Sequence, residues 1–216
     1  MSSSGKTPLE RYLEMREAIS ARASELFDRY ASQVRCRRGC WFCCDEITVL
    51  PIELEALRAW LSSNRVPEPS RPDGTLHPPA RRSVDRSRHG VFPSTEAGRP
   101  RCAFLGSAGE CTVYGGRPVI CRTHGLPLAY RVYEYDIQGR EVAPEHPEYT
   151  DLWCDLNFPD LAEESAPAYF DANGRINMDE VNARIDTLNA EFLQTDGGEP
   201  YRNLPPGEER LPLKVL

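Results

Sequence analysis

Four thiols fall within nine residues, Cys36-Arg-Arg-Gly-Cys40-Trp-Phe-Cys43-Cys44, and no other stretch limits the fold of the chain as sharply. A thiolate is a soft, charged donor, and four of them satisfy a tetrahedral zinc or iron centre without water. Four further cysteines, Cys102, Cys111, Cys121 and Cys154, bring the total to eight, enough for two four-ligand sites or one larger cluster. Cys36, Cys40 and Cys43 are close enough in sequence for one turn to present them together, and Gly39 permits the positive φ that such a turn commonly needs. Side chains of adjacent residues point to opposite faces of extended backbone and diverge by about 100° in a helix. Cys43 and Cys44 are therefore expected to address different ligand positions, which favours a polynuclear cluster or two nearby centres. The expected division groups Cys36, Cys40 and Cys43 around one centre. Cys44 then helps to complete a second with some of Cys102, Cys111, Cys121 and Cys154.

A chain of 216 residues can bury one sizeable core and does not depend on disulfides to fold. The N-terminal residues lead into a charged amphipathic stretch rather than an apolar run, so no secretory signal is expected. No segment approaches the roughly 18 apolar residues of a membrane span. The expectation is a soluble, cytoplasmic protein, and in that reducing compartment clustered cysteines are metal ligands or redox groups. The net charge of -7 argues against a nucleic-acid binder held by phosphate neutralisation. A protein or a small molecule is the expected partner. Charge is uneven, however: eight arginines between Arg65 and Arg101 face Glu68, Asp73, Asp85 and Glu96, a local balance of +4. That stretch also holds Pro67, Pro69, Pro72, Pro78, Pro79, Pro93 and Pro100, and reads as a long loop over 63–100, either a solvated surface or a docking patch.

Apolar residues at three-and-four spacing predict a helix from Pro8 to about Val34, with Thr7 as N-cap and Glu10 three residues on. A short extended piece is expected over Glu46 to Leu50, then a helix over Pro51 to Leu61. Cys102 and Cys111 flank a Gly-rich reversal, and Cys121 belongs on a short helix begun near Pro118. Leu128 to Tyr135 alternates as a strand, Gly139 marks a turn, and Glu141 to Ala143 returns as its partner. A last helix spans Met178 to Leu193, capped by Asn177, after which Gly-Gly and Pro-Pro break any pattern. The expected fold class is α+β, mostly helical and loop-rich: a small cysteine-cluster metal-binding fold with a short β-hairpin and flanking helices. Its organisation is read as an amphipathic helix over 1–35, a cluster domain over 36–156, a helical segment over 157–195 and an extended tail over 196–216.

Thiolates buried together need compensating charge. Arg35, Arg37, Arg38, Arg117 and Arg122 adjoin cysteines and would lower thiol pKa values. Arg122 and His124 share a compact Cys-Arg-Thr-His-Gly turn and are singled out as cofactor-binding residues, whereas His77, His89 and His146 lie in proline-rich loops. No P-loop, dinucleotide fingerprint, nucleophile elbow or paired-histidine zinc motif is present.

Taken together, Gly39-Cys-Trp-Phe-Cys-Cys44, Cys102-Ala-Phe-Leu105, Cys111-Thr-Val-Tyr-Gly-Gly-Arg-Pro-Val-Ile-Cys-Arg122 and Trp153-Cys154 resemble the YkgJ-type cysteine-cluster family. The resemblance covers roughly residues 30 to 156. It implies zinc or iron chelation and makes all eight cysteines candidate ligands. The first pair here is separated by three residues where the family's most quoted form has two, and the basic loop is long. The cofactor is expected to be an iron-sulfur cluster or iron, with zinc as the alternative. Three roles follow: a structural or electron-transferring centre with an all-cysteine shell, a metalloenzyme with an open position near His124, Tyr114 and Arg122, or a metal-stabilised adaptor that docks a partner through the basic loop. Whether the protein is an enzyme is left open by these residues.

Overall fold

The computed structural model describes residues 5–37, 40–44, 47–65, 102–106, 109–138, 140–142, 148–154, 156–205 and 209–213. The expected basic loop therefore lies almost wholly outside the described residues, as do Gly39, Arg38, Gly139, His77, His89 and His146.

Helix α1 (Pro8–Arg29) starts where the local sequence predicts. The Glu10 N–H donates to Thr7 Oγ1 at 3.2 Å, and Glu10 Oε2 accepts the Thr7 N–H at 2.7 Å. This reciprocal cap satisfies two donors that a helix end would otherwise leave open. Tyr12, Met15, Ile19, Ala23 and Leu26 form its buried stripe. The helix ends short of the expected Val34, because Tyr30 leaves helical angles and is drawn inward. Its ring is 5% exposed and its hydroxyl donates to the Gly174 carbonyl at 3.0 Å.

Strand β1 (Thr48–Val49) leads into helix α2 (Pro51–Asn64). Glu53 lies in the first turn of α2 and is buried. Its carboxylate accepts the Leu50 N–H at 3.2 Å and the Tyr12 hydroxyl at 3.3 Å, so a helix cap also joins α2 to α1. Burial outweighs these bonds and holds the Glu53 carboxyl above its ordinary range. Helix α5 (Met178–Phe192) is capped by Asn177, whose Oδ1 accepts the Asp179 and Glu180 N–H groups. Its residues Ile185, Leu188 and Phe192 meet Tyr12, Ile52, Leu54, Leu57 and Phe104 in a first core.

A second core forms around a three-stranded sheet. Strand β2 (Leu128–Arg131) lies between antiparallel β5 (Tyr149–Leu152) and parallel β6 (Ile176–Asn177). Leu26, Leu126, Leu128, Trp153, Phe158, Phe170 and Met178 fill it, with Phe170 carried just beyond the short helix α4 (Ala166–Tyr169). The expected strand over 128–135 divides in two. Beyond Arg131 the chain leaves the sheet, and β3 (Glu134–Tyr135) pairs with β4 (Glu141–Val142) as a separate hairpin. Asp136 Oδ1 holds that turn by accepting the Gln138 and Arg140 N–H groups, both at 2.9 Å.

Nor does the chain trail away after Asp196, as Gly-Gly and Pro-Pro led us to expect. Asp196–Tyr201 forms a 3₁₀ helix that sets Tyr201 into the first core, and β7 (Leu211–Pro212) pairs antiparallel with β1. The arrangement is α+β and mostly helical, with sheets of two or three strands.

Candidate metal centre

Each cysteine is placed by a short, identifiable device. Beyond α1, successive turns carry the first group: the Cys40 N–H donates to the Arg37 carbonyl at 2.9 Å and the Cys44 N–H to the Trp41 carbonyl at 3.1 Å, with Trp41 buried as an anchor. The Gly-rich reversal forms as expected. Leu105 and Cys111 make an antiparallel bridge, the Thr112 N–H donates to the Phe104 carbonyl at 2.9 Å, and Phe104 and Val113 fasten the loop in the first core. The Cys102 N–H donates to the Cys44 carbonyl at 3.1 Å, which ties the two cysteine segments together. Helix α3 (Val119–Thr123) begins after Pro118 and packs on α1 through buried Val119 and Thr123. Cys121 sits in its middle. Cys154 follows β5 directly, beside the aromatic residues of the second core.

The thiols fall into two adjoining neighbourhoods. Cys36 shares a hydrogen bond with Cys40, and both Cys36 and Cys43 lie within electrostatic reach of Cys154. Geometry agrees: a methyl group built on Gly125 would stand 2.6 Å from Cys36 Sγ and 3.9 Å from Cys154 Cβ. In the second neighbourhood Cys121 senses Cys102, Cys44 and Cys111. Cys43 and Cys44 hydrogen-bond to each other across the boundary. The expected grouping of Cys36, Cys40 and Cys43 thus acquires Cys154, while Cys44 joins Cys102, Cys111 and Cys121.

The protons are unevenly held. The hydrogen bond from the Cys36 thiol is the largest influence on Cys40, and with the Phe42 and Arg37 N–H groups and the Arg37 charge it holds Cys40 down at about 6 against burial. The same hydrogen bond, with burial, pushes Cys36 up. Cys43 is pushed up by its bond to Cys44 and by burial, and Cys111 and Cys121 chiefly by burial. Sulfurs crowded in this way cannot all ionise without a cation among them.

Among the described residues, all eight cysteines included, no three His, Cys, Asp or Glu side chains are grouped so that they could hold one metal ion. The donors are nevertheless the soft, partly buried sulfurs that zinc and iron require. Ligand groups commonly close only as the ion binds. The donor chemistry fits the metal.

Of the arginines singled out by spacing, two lie within electrostatic reach of thiols. Arg37 acts on Cys40, and Arg117 on Cys111 and Cys121. Arg122 serves the frame instead: its guanidinium donates to the Arg117 carbonyl at 2.7 Å, the Ser20 hydroxyl at 2.7 Å and the Gly115 carbonyl at 2.6 Å, bolting α1 to the loop before α3. His124 closes α3, its N–H donating to the Ile120 carbonyl at 3.0 Å. Sequence reasoning missed Asn157, which is 1% exposed and touches Cys36, and Gly125, which lies against the same sulfur at φ +96. Neither carries a recognisable motif; only proximity to Cys154 and His124 in sequence draws the eye to them.

No helix among the described residues is long and apolar enough to cross a membrane. No curated protein and no solved structure matches the chain. Residues 35–146 match the family model CxxCxxCC, described as "Putative zinc- or iron-chelating domain". The match takes in seven of the eight cysteines and stops before Cys154. With just over half its length in that match and its thiols gathered as described, the chain belongs to the CxxCxxCC family of zinc- or iron-chelating domains.

Proposed function

We propose that the protein carries two adjoining four-thiolate metal centres, Cys36/Cys40/Cys43/Cys154 and Cys44/Cys102/Cys111/Cys121, and uses them for structure or for electron transfer. What supports this reading most is the pattern of mutual influence among the sulfurs, in which Cys43 senses Cys36 and Cys154 while Cys121 senses Cys44, Cys102 and Cys111. An iron ion or iron-sulfur cluster held in this way supplies one-electron chemistry, whereas zinc supplies a redox-silent cross-link. In either case a four-sulfur shell has no position for a substrate, which favours these roles over metal-assisted hydrolysis. Arg37 and Arg117 offset part of the thiolate charge, and a reducing cytoplasm keeps the sulfurs free to bind.

Anaerobic purification followed by metal and acid-labile sulfide analysis, with an absorption spectrum, tests the proposal. It expects two four-thiolate centres per chain. Visible sulfur-to-iron absorption supports electron transfer, and a colourless protein with stoichiometric zinc supports the structural role. A chain that retains neither metal when prepared without oxygen would contradict both.

A further inference from the structure

The centre that includes Cys36 requires two sulfurs far apart in sequence to meet, and one buried side chain stands at their junction. The Asn157 N–H donates to the Cys154 carbonyl at 2.8 Å, and the Phe158 N–H donates to the Gln33 carbonyl at 3.0 Å. At Phe158 the backbone is left-handed, φ 51, a conformation that non-glycine residues seldom adopt, and its side chain is fully buried. The Asn157 side chain completes the stitch. Its Oδ1 accepts the Arg35 N–H at 2.7 Å, and its Nδ2 donates to the Gly125 carbonyl and, at 3.4 Å, to Cys36 Sγ.

The orientation of the amide follows from its neighbours. The Gly125 carbonyl can only accept and the Arg35 N–H can only donate, so Nδ2 must lie on the side of the sulfur. Cys36 Sγ stands closer to Nδ2, at 3.4 Å, than to Oδ1, at 3.9 Å. Gly125 makes room for it, since any side chain there would enter the space of Cys36 Sγ.

From this we infer that Asn157 is a positioning residue of the Cys36/Cys40/Cys43/Cys154 centre, aiming the Cys36 sulfur and drawing charge from it through an N–H to sulfur hydrogen bond. The inference rests on the two-centre reading. It also makes the two centres unequal, because the amide of Asn157 touches Cys36 and reaches no cysteine of the Cys44/Cys102/Cys111/Cys121 centre among its hydrogen bonds. Partners of this kind orient ligands and adjust their basicity, and losing one commonly weakens metal binding about 10–100-fold.

The test is a comparison of the full chain with Asn157→Ala and Asn157→Asp, both titrated with zinc against a chelator and both loaded with cobalt(II). Asn157→Asp retains the oxygen that receives the Arg35 N–H while removing the donor to sulfur and to the Gly125 carbonyl. The expected result is a loss of about 10–100-fold in affinity at one of two sites, with the other unchanged. The sulfur-to-cobalt charge-transfer band of the weakened site should move to lower energy, since sulfur relieved of a hydrogen bond gives up charge more readily. Equal weakening at both sites, or unchanged affinity and an unshifted band in both variants, would overturn the role of Asn157. A wild-type chain that binds no second ion would instead overturn the two-centre reading itself.

Discussion

Stripping the metal should loosen the chain between Cys102 and Thr123 while leaving the frame of α1, α2 and α5 in place. The frame has its own core, in which Tyr12, Ile52, Leu54 and Leu57 are fully buried, and its helix ends are capped within the chain. The segment from Cys102 to Thr123 is held differently. It contains one β-bridge, a single turn of 3₁₀ helix and the five-residue α3, elements too short to be stable alone. Phe104, Val113 and Val119 anchor it to the core, and the Cys102 N–H to Cys44 carbonyl bond ties it to the first cysteine segment. A structural ion in a small domain contributes apparent free energies of about 10–16 kcal/mol. Here only part of the fold depends on it, and the free energy of local opening should fall by about 3 kcal/mol, raising the open population by a factor of roughly 100. Hydrogen exchange with and without a chelator measures this directly. Faster exchange in residues 102–123 and in the cysteine turns that follow α1, with helical circular dichroism retained, is the expected result; unchanged protection over 102–123 would mean that the segment owes nothing to metal.

The second large effect is expected at Phe170. Its ring is 0% exposed and lies edge-on to Phe158 at 5.0 Å, Tyr169 at 5.2 Å, Trp153 at 5.4 Å and Tyr30 at 5.7 Å. Removing a buried phenyl ring typically costs about 3–5 kcal/mol, and a packed group of rings is poorly able to collapse into the space. Phe170→Ala should therefore lower the urea midpoint by an amount equivalent to about 4 kcal/mol, whereas Phe170→Leu should cost less. The consequence also reaches the metal. Trp153 precedes Cys154 and Phe158 follows Asn157, so on the two-centre proposal disturbing these rings displaces the cysteine proposed to complete the first centre. Zinc affinity should fall at that centre and hold at the one containing Cys121. Equal loss at both would show that the aromatic core supports the whole fold rather than one end of it.

Local signals were most legible where a few consecutive residues decide the structure. Thr7-Pro8 with Glu10 started α1, Asn177 started α5, and the glycines between Cys102 and Cys111 allowed the reversal. The adjacent Cys43 and Cys44 pointed to two neighbourhoods for a reason of backbone geometry alone. Long-range features were not legible. Strands β6 and β7 have two residues each and exist because partners far away in sequence offer them an edge. The same limit applies to Cys154. Nothing local says that it lies beside Cys36, since that contact depends on the sheet, on the buried rings and on the left-handed turn at Phe158. Spacing also favoured Arg122 as a partner of the metal; its guanidinium reaches Ser20 of α1, while Arg117, stacked on the Tyr114 ring, lies within electrostatic reach of Cys121.

The most direct test of the two-centre account is the metal content of single cysteine variants of the full chain, prepared anaerobically. Cys154→Ser and Cys121→Ser remove one sulfur from each proposed group, and both positions are far from Cys43-Cys44 in sequence. Each variant should lose one centre and keep the other, and the double variant should lose both. If either single substitution removes all the metal, the eight cysteines form one indivisible cluster; if both leave the content unchanged, these two sulfurs are not ligands and the division into two centres is wrong.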